Sequence, residues 1–259
     1  MTLTVPMWAG EVVAALPYPV VFATVSGAHL YGFASIDSDL DLRAAHLLPA
    51  AEVVGLRTGP ETVSSSGYRD DIELDVVSHD LRKFARLLNS RNGYVLEQLL
   101  SPLVVATTPL HSQLVALAPS FITSGHAHHY LGFATSQERL FDQTGRLKAA
   151  LYWLRVLLTG RHLMLTGLLE TDLNVLGTSL DYVPELIAMK QSAEKGPFPA
   201  ALEVQLRADT ARLRLELEAA RDATPLPAYP DESAVDALDA LVVRARLETV
   251  SSFESERQM

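Results

Sequence analysis

The sequence of 259 residues contains no cysteine, which excludes a disulfide framework, a thiolate zinc site and a cysteine nucleophile. It also has no uninterrupted run of about 18 apolar residues, so we expect no membrane-spanning helix. The first residues lack a basic segment ahead of an apolar stretch, which predicts a cytoplasmic protein. Aromatic residues make up only 7% of the chain and hydrophobic residues 48%, a composition typical of a soluble protein rich in helix.

Positive charge is also scarce. The chain has 21 Lys and Arg residues against 31 Asp and Glu residues, a formal net charge of -10. A surface of this sign repels a polyanion at long range, so we expect no extended binding to DNA, and any contact with nucleic acid requires a local basic patch. Most of the positive charge is carried by arginine, the better bidentate partner for phosphate, although a compositional bias of the genome explains this equally well.

Strand-like and helical patterns alternate in the first third of the chain. The apolar and β-branched run from Val20 to Val25 predicts a buried strand. The segment DSDLDLRAAHLL predicts a second strand and residues 71–78 predict a third. Residues 103–108, LVVATT, are also strand-like. Ser78 is expected to cap a following helix, LRKFARLL.

Helical periodicity dominates from about residue 110 onward, in segments such as GRLKAALYWLRVLLTGRHLML. The two patterns together predict an α+β protein. We expect a small sheet with flanking helices in residues 1–108 and a helical domain in residues 109–259.

Three carboxylates, Asp37, Asp39 and Asp41, occupy alternate positions just after a glycine-rich turn. Side chains at i and i+2 of a strand lie on one face, about 6 to 7 Å apart, so Asp39 and Asp41 can face a ligand while the intervening leucines face the core. Carboxylate oxygens are ligands that hard divalent cations prefer, and a pair of such cations about 4 Å apart can stabilise phosphoryl transfer. A solvent-facing sheet edge or a local turn explains the pattern equally well, whereas a calcium-binding EF-hand loop is excluded because Leu42 and Leu48 stand where it requires Gly and Glu.

A second pair of acids, Glu73 and Asp75, also has a period of two. If its strand lies beside the first, three acids converge on one site. Asp75 is the preferred third member, because Val76 and Val77 anchor it within the strand, and Glu73 is the less favoured choice.

The stretch SGAHLYGFASIDSDLDLR resembles the nucleotidyltransferase signature of the DNA polymerase β superfamily, in which a glycine-serine turn opens a helix and a following strand carries Asp-x-Asp. It is more narrowly similar to bacterial stand-alone predicted nucleotidyltransferases with a pattern near SGSxxYGxxxxxSDxDxR. The matching positions are Ser26, Gly27, Tyr31, Gly32, Ser38, Asp39, Asp41, Arg43 and Asp75, with LRKFARLL at 81–88. The resemblance is strong over residues 21–103 and weaker to about residue 167.

This resemblance implies an enzyme that moves a nucleoside monophosphate from an NTP to an acceptor hydroxyl and releases pyrophosphate. Asp39 and Asp41 would bind both divalent cations, Mg²⁺ or Mn²⁺, while Asp75 would bind the catalytic one and help to activate the acceptor. The preferred acceptor is an RNA 3′ end. The residues expected to contact the nucleotide are Ser26, Gly27, Ala28, His29, Ser38, Arg43, Lys148, Tyr152 and Arg155.

Two of these expectations leave an alternative open. Lys148, Tyr152 and Arg155 share one predicted helix face, which could cap the nucleotide or simply solvate a packing helix. Ala28 stands where the signature has a serine whose hydroxyl touches the terminal phosphates. The competing interpretation is therefore a catalytically degenerate protein of the same fold that binds nucleotide or regulates a partner.

Overall fold

The computed structural model describes residues 5–194 and 196–256. By its contacts the chain divides into two compact units, which are discontinuous in sequence. Unit 1 comprises Met1–Ser26, Leu40–Phe121 and Pro230–Met259, and unit 2 comprises Gly27–Asp39 and Ile122–Tyr229. The chain thus leaves unit 1 after its first strand and returns at Leu40. The extent of the nucleotidyltransferase domain, placed at residues 1–108 from the sequence, stays a prediction.

Unit 1 contains a five-stranded mixed sheet with the order β3-β4-β2-β1-β5. The strands are β1 (Val20–Val25), β2 (Leu40–His46), β3 (Thr62–Arg69), β4 (Ile72–Asp80) and β5 (Val104–Ala106). β2 and β4 are parallel, and the other neighbouring pairs are antiparallel. β3 is the strand that the sequence did not predict, because its residues are polar and mostly exposed.

Helices make up most of the remaining chain, so the α+β class expected from the sequence is confirmed. The α-helices of the described residues are α1 (Trp8–Ala14), α2 (Gly27–Leu30), α3 (Ala51–Val54), α4 (Leu81–Asn89), α5 (Gly93–Leu99), α6 (Pro109–Leu117), α7 (His126–Thr144), α8 (Leu147–Thr166), α9 (Leu173–Leu176), α10 (Val183–Ser192), α11 (Glu203–Ala223) and α12 (Glu232–Glu256). Short 3₁₀ helices cover Ala118–Phe121, Gly177–Ser179 and Ala200–Leu202. No helix in the described part of the chain is both long and apolar enough to cross a lipid bilayer.

The alternating sequence of β2 sends its leucines to one face of the sheet. Leu40 and Leu42 are almost completely buried and pack with Val76 of β4 and with Ala9 and Val13 of α1. The polar residues of the same strand point to the opposite face, because successive strand side chains alternate. Burial of the leucine face therefore fixes the register, since a slip of one residue would place the acids in the core.

The start of α4 differs from the prediction. Asp80, rather than Ser78, caps this helix, and its carboxylate accepts a hydrogen bond from the Arg82 amide at 3.0 Å. The reason is that β4 stays paired with β2 as far as Asp80, which lies opposite His46. Ser78 is therefore still in the strand, where its hydroxyl contacts His46 Nδ1 at 2.8 Å.

The C-terminal helix α12 belongs to unit 1 and is anchored there by a buried ion pair. Arg246 donates hydrogen bonds from Nη2 to both carboxylate oxygens of Asp80, at 2.8 and 2.7 Å, and from Nη1 to the Leu48 carbonyl at 2.6 Å. Asp80 is completely buried and Arg246 is 7% exposed. Arg246 therefore connects α12 to the junction of β4 and α4, because Asp80 ends the strand and caps the helix.

Unit 2 is built around α8, which packs against α7 and α11. A Cβ atom at Gly160 of α8 would lie 2.7 Å from Tyr130 Cβ and 3.0 Å from a methyl group of Leu217. Glycine at this position therefore permits the close approach of the three helices. The segment Gly27–Asp39 belongs to the same unit, and Tyr31 packs edge to face against Tyr152 of α8 with ring centroids 5.5 Å apart.

Candidate active site

Two carboxylates lie side by side on the polar face of the sheet. Asp41 of β2 is paired directly with Asp75 of β4, just as Leu40 is paired with Leu74 and Leu42 with Val76. The two strands are therefore neighbours, which is the condition that the sequence left open. Two like charges at directly opposite strand positions repel each other, so this arrangement needs a compensating cation.

Arg43 supplies that positive charge. Its Nη2 donates to Asp41 Oδ1 and to Asp75 Oδ2, each at 2.8 Å. Its Nη1 donates to the carbonyl of Leu42 at 3.1 Å and to that of Asp75 at 3.0 Å. The guanidinium side chain is 19% exposed, and the carboxylates are 24% exposed for Asp41 and 43% for Asp75. Solvent therefore reaches both acids.

The carboxylate pair fits a hard divalent cation in its chemistry, because both side chains offer oxygen ligands. Because the two oxygens share one nitrogen neighbour, each at 2.8 Å, they lie no more than 5.6 Å (twice 2.8 Å) apart. Mg²⁺ binds oxygen ligands at about 2.0–2.1 Å, so two oxygens on one ion lie no more than about 4.2 Å apart, and the guanidinium would have to leave to admit the ion. Within residues 5–194 and 196–256, no three His, Cys, Asp or Glu side chains come close enough together to hold a metal ion.

The remaining predicted metal ligand, Asp39, is the last residue of unit 2 before the chain enters β2. Its carboxylate Oδ2 lies 4.0 Å from Lys148 Nζ of α8, and its side chain is 41% exposed. Each of the three predicted ligands thus has a basic side chain beside it: Arg43 for two of them and Lys148 for the third. Their roles in metal binding stay predictions.

The glycine turn begins at the end of β1. Ser26 is 8% exposed and its amide donates to the Asp41 carbonyl at 2.9 Å, which ties the start of the turn to β2. Gly27 has a φ of +65°, a left-handed conformation that favours glycine and opens the short helix α2. Ala28 is 4% exposed. Its methyl group is therefore buried.

His29 follows in the same turn and is half-buried. Burial lowers the pKa of its imidazole, and a hydrogen bond with the Ser38 backbone and the negative charge of Glu194 only partly offset this effect. The ring is therefore mainly neutral at pH 7. If it contacts a phosphate, it does so as a neutral hydrogen-bond donor rather than as a cation.

The predicted face of α8 does turn toward the segment 27–39, but its three residues have different surroundings. Lys148 is 39% exposed and donates to Glu194 Oε1 at 2.8 Å. Tyr152 is half-buried against the rings of Tyr31 and Phe33. Arg155 is completely buried, with its guanidinium carbon 3.7 Å from the centroid of the Tyr31 ring. A direct contact between Arg155 and a nucleotide stays a prediction that this burial does not favour.

Sequence reasoning missed a polar cluster in unit 2, which we call the Glu194 cluster. It consists of Ser35, Ser38, Lys148, Lys190 and Glu194. Both serine hydroxyls donate to Glu194 Oε2 at 2.7 Å, and Lys148 and Lys190 also donate to this carboxylate. The only signal in the sequence was the i,i+4 spacing of Lys190 and Glu194, which is usual for an exposed helix pair.

Burial alone would raise the pKa of Glu194, but the hydrogen bonds from Lys148, Lys190, Ser38 and Ser35 outweigh it and lower the pKa to about 2. The carboxylate is therefore ionised throughout the physiological range. It balances the ammonium group of Lys190, which is completely buried. A buried charge of this kind needs such a partner because its removal from water is costly.

The glycine turn and the paired aspartates on adjacent strands agree with the class that the sequence resembles, the polymerase β-like nucleotidyltransferases. The chain belongs to the RNA repair pathway DNA polymerase beta family, RlaP, whose model matches residues 9–244. It is also 29% identical to the uncharacterized protein YcgL of Bacillus subtilis (strain 168) over 214 residues, which cover 78% of this chain and 79% of that protein.

A solved structure, that of a nucleotidyltransferase-like protein from Exiguobacterium sibiricum 255-15, matches over 96% of this chain and 77% of its own chain. The two are 13% identical and superpose with a TM-score of 0.33, which is too low to indicate a common fold. The membership of the family therefore rests on the match over residues 9–244.

Proposed function

We propose that this protein is a metal-dependent nucleotidyltransferase that transfers a nucleoside monophosphate from an NTP to an acceptor hydroxyl, with an RNA 3′ end as the preferred acceptor. The observation that carries the proposal is the cross-strand pair of Asp41 and Asp75, held together by one guanidinium nitrogen. Keeping two like charges side by side costs stability, and a cation-dependent reaction gives this arrangement a use.

In this proposal Asp39, Asp41 and Asp75 hold the divalent cations. Asp39 and Asp41 are two positions apart in the chain, so their Cα atoms are at most about 7 Å apart. The bound cations would neutralise the charge that develops on the phosphates and orient the triphosphate. Arg43, once released from the carboxylates, becomes available to donate to a phosphate oxygen.

The reaction itself requires one bond exchange at phosphorus. The acceptor oxygen bonds to the α-phosphorus, the bond from that phosphorus to the bridging oxygen of the β-phosphate breaks, and pyrophosphate leaves. Asp75 is the carboxylate that we assign to receive the proton of the acceptor hydroxyl. Positioning and charge neutralisation supply most of the rate acceleration in such reactions, so no covalent intermediate is needed.

An RNA acceptor is supported by the family, which is described as part of an RNA repair pathway. The formal net charge of -10 opposes extended contact with RNA. A short contact limited to the terminal nucleotides satisfies both considerations, because only the end of the RNA has to approach the carboxylates.

The test is the transfer of α-phosphate label from each of the four NTPs to a pool of small RNAs, with Mg²⁺ or Mn²⁺. Asp41→Asn and Asp75→Asn should each reduce transfer by more than about 100-fold, since even loss of a group that only hydrogen-bonds to a metal ligand costs about 10–100-fold. Glu73→Gln is the matched control, because Glu73 lies two residues before Asp75 in the same strand and is exposed. It should retain wild-type activity.

Oxidation of the RNA with periodate, which destroys the terminal 2′,3′-diol, distinguishes an RNA 3′ end from other acceptors. If RNA that was oxidised before the reaction no longer becomes labelled, the RNA 3′ end is supported as the acceptor. Label that persists on protein or on a small molecule would keep the transferase and reject the acceptor, whereas no transfer with any NTP or metal would reject the enzyme.

The alternative, a degenerate nucleotide-binding protein, is favoured by Ala28. Restoring the serine of the signature with Ala28→Ser tests it. One neutral hydrogen bond contributes about 0.5–1.5 kcal/mol, so the variant should bind an NTP about 2- to 10-fold more tightly if this position faces the phosphates. A gain in binding without any transfer would favour the degenerate protein.

A further inference from the structure

The Glu194 cluster connects three elements of unit 2 that are far apart in sequence. Ser35 and Ser38 lie in the loop after α2, Lys148 lies in the first turn of α8, and Lys190 and Glu194 lie at the end of α10 and just after it. Loop, helix and helix end meet at one carboxylate, whose side chain is 12% exposed.

The serine loop is held by its own hydrogen bonds as well as by Glu194. The Ser35 amide donates to Ser38 Oγ at 3.0 Å, and the Ser38 amide donates to the Ser35 carbonyl at 3.2 Å. Lys190 donates to Ser35 Oγ at 3.0 Å. Ser38 immediately precedes Asp39, so a carboxylate that fixes Ser38 also limits where Asp39 can point.

The same carboxylate fixes the basic partner of Asp39. Lys148 Nζ lies 2.8 Å from Glu194 Oε1 and 4.0 Å from Asp39 Oδ2. A lysine side chain loses considerable rotamer freedom when it is held in one place, and Glu194 meets this cost before any ligand arrives. Lys148 remains 39% exposed, so its ammonium group is still accessible to a ligand.

We propose that Glu194 is a positioning residue, which holds Lys148 in the place where its ammonium group binds the triphosphate of an NTP. The inference rests on the proposed function, since it assumes that Asp39 and Lys148 lie at the nucleotide. Glu194 itself does not contact the substrate. It acts through Lys148, and its removal should therefore matter only while Lys148 is present.

The experiment measures, by titration calorimetry, how tightly the protein binds a non-hydrolysable ATP analogue in the presence of Mg²⁺. This dissociation constant does not depend on turnover. Glu194→Gln keeps the shape and removes the charge. We expect binding about 10-fold weaker than in the wild type, as in Lys148→Met, and a further loss of less than about 2-fold when Glu194→Gln is added to Lys148→Met.

Glu216→Gln is the matched control, since Glu216 also pairs with two basic side chains, Arg161 and Arg212, on the helical surface of unit 2. It should bind as the wild type does. Should Glu194→Gln not fold because Lys190 is left buried without a counter-ion, Lys190→Met/Glu194→Gln removes both charges and carries the same measurement.

Each outcome separates the hypotheses. Equal binding by Glu194→Gln and wild type would overturn the inference and leave the proposed function standing. Tighter binding by Glu194→Gln would also overturn it, because the carboxylate would then compete with phosphate for Lys148. Absence of nucleotide binding by the wild type would overturn the proposed function and the inference together.

Discussion

The ion pair between Arg246 and Asp80 gives a sharp prediction about stability. Replacing Arg246 with Met keeps most of its apolar stem but removes the nitrogen that donates to both oxygens of the buried Asp80 carboxylate. Breaking a buried pair by removing one member typically costs about 3–5 kcal/mol, because the remaining charge is uncompensated. Two backbone amides, those of Leu48 and Arg82, still donate to Asp80. We therefore expect the lower end of this range, about 3 kcal/mol.

The measurement is urea unfolding followed by far-UV circular dichroism at 25 °C and pH 7. Arg244→Met is the matched control, since Arg244 lies on the same helix two residues earlier and is exposed. It should change the free energy of unfolding by no more than about 0.5 kcal/mol. The double variant Asp80→Asn/Arg246→Met should regain part of the loss, because it removes both buried charges.

The same ion pair should be sensitive to acid. Burial by itself would raise the pKa of Asp80, but the hydrogen bonds from Arg246 and from the two backbone amides outweigh it, and the pKa is lowered from its ordinary 3.8. The folded protein therefore binds this proton less readily than the unfolded chain, so the contribution of the ion pair to stability is complete above about pH 4 and is lost as the pH falls through the lowered pKa.

In the urea experiment, a loss of less than about 1 kcal/mol in Arg246→Met at pH 7, equal to that of Arg244→Met, would refute the assignment of α12 to the core of unit 1.

Arg43→Gln should tighten the binding of Mn²⁺ alone, followed by electron paramagnetic resonance, because the guanidinium competes with the cation for the two strand carboxylates; weaker binding would mean that it only orients them. Gly32→Ala should lower the free energy of unfolding by at least about 1–2 kcal/mol, since φ is +82° and the new Cβ would lie 2.0 Å from Asp172 Oδ1. Gly67→Ala is the control and should leave stability unchanged, because nothing lies within 4 Å of its new Cβ. Equal thermal midpoints for the two variants would contradict this prediction. The difference in free energy of unfolding between wild type and Glu194→Gln should be constant above pH 4.5 and should decline as the pH falls toward about 2, because the pKa of Glu194 is lower in the folded state than in the unfolded chain. A difference that does not depend on pH in this range would exclude the ionised Glu194 carboxylate as the source of the extra stability.

The strands that carry the predicted site could be recognised from the sequence because the positions of their apolar residues match the side chains that are buried. The run from Val20 to Val25 and the alternation around Asp41 and Asp75 match β1, β2 and β4. The sequence of β3, TVSSSGYR, shows no such apolar pattern, since none of its residues is buried and the strand is held by its pairing with β4. Its contribution is made through backbone hydrogen bonds, which side-chain patterns do not reveal.

The Glu194 cluster could not be found from the sequence for a different reason. Lys190 and Glu194 have the spacing of an ordinary surface ion pair, whereas the lysine is completely buried. One of the partners of the buried ammonium group is Ser35, which is 155 positions earlier in the chain. Long-range contacts of this kind follow from how helices pack, and a single sequence contains no local sign of them.

The discontinuity of unit 1 also has a consequence for biosynthesis. Asp80 leaves the ribosome 166 residues before Arg246, the side chain that neutralises it. At a synthesis rate of about 5–20 residues per second, roughly 10–30 s pass between the two. During that interval Ile122–Tyr229, the larger part of unit 2, has emerged in full, while the sheet of unit 1 still lacks its last helix. A nascent chain stalled before α12 would therefore expose the surfaces of α4 and α6 that α12 contacts, and chaperones could recognise them however well unit 2 had already folded.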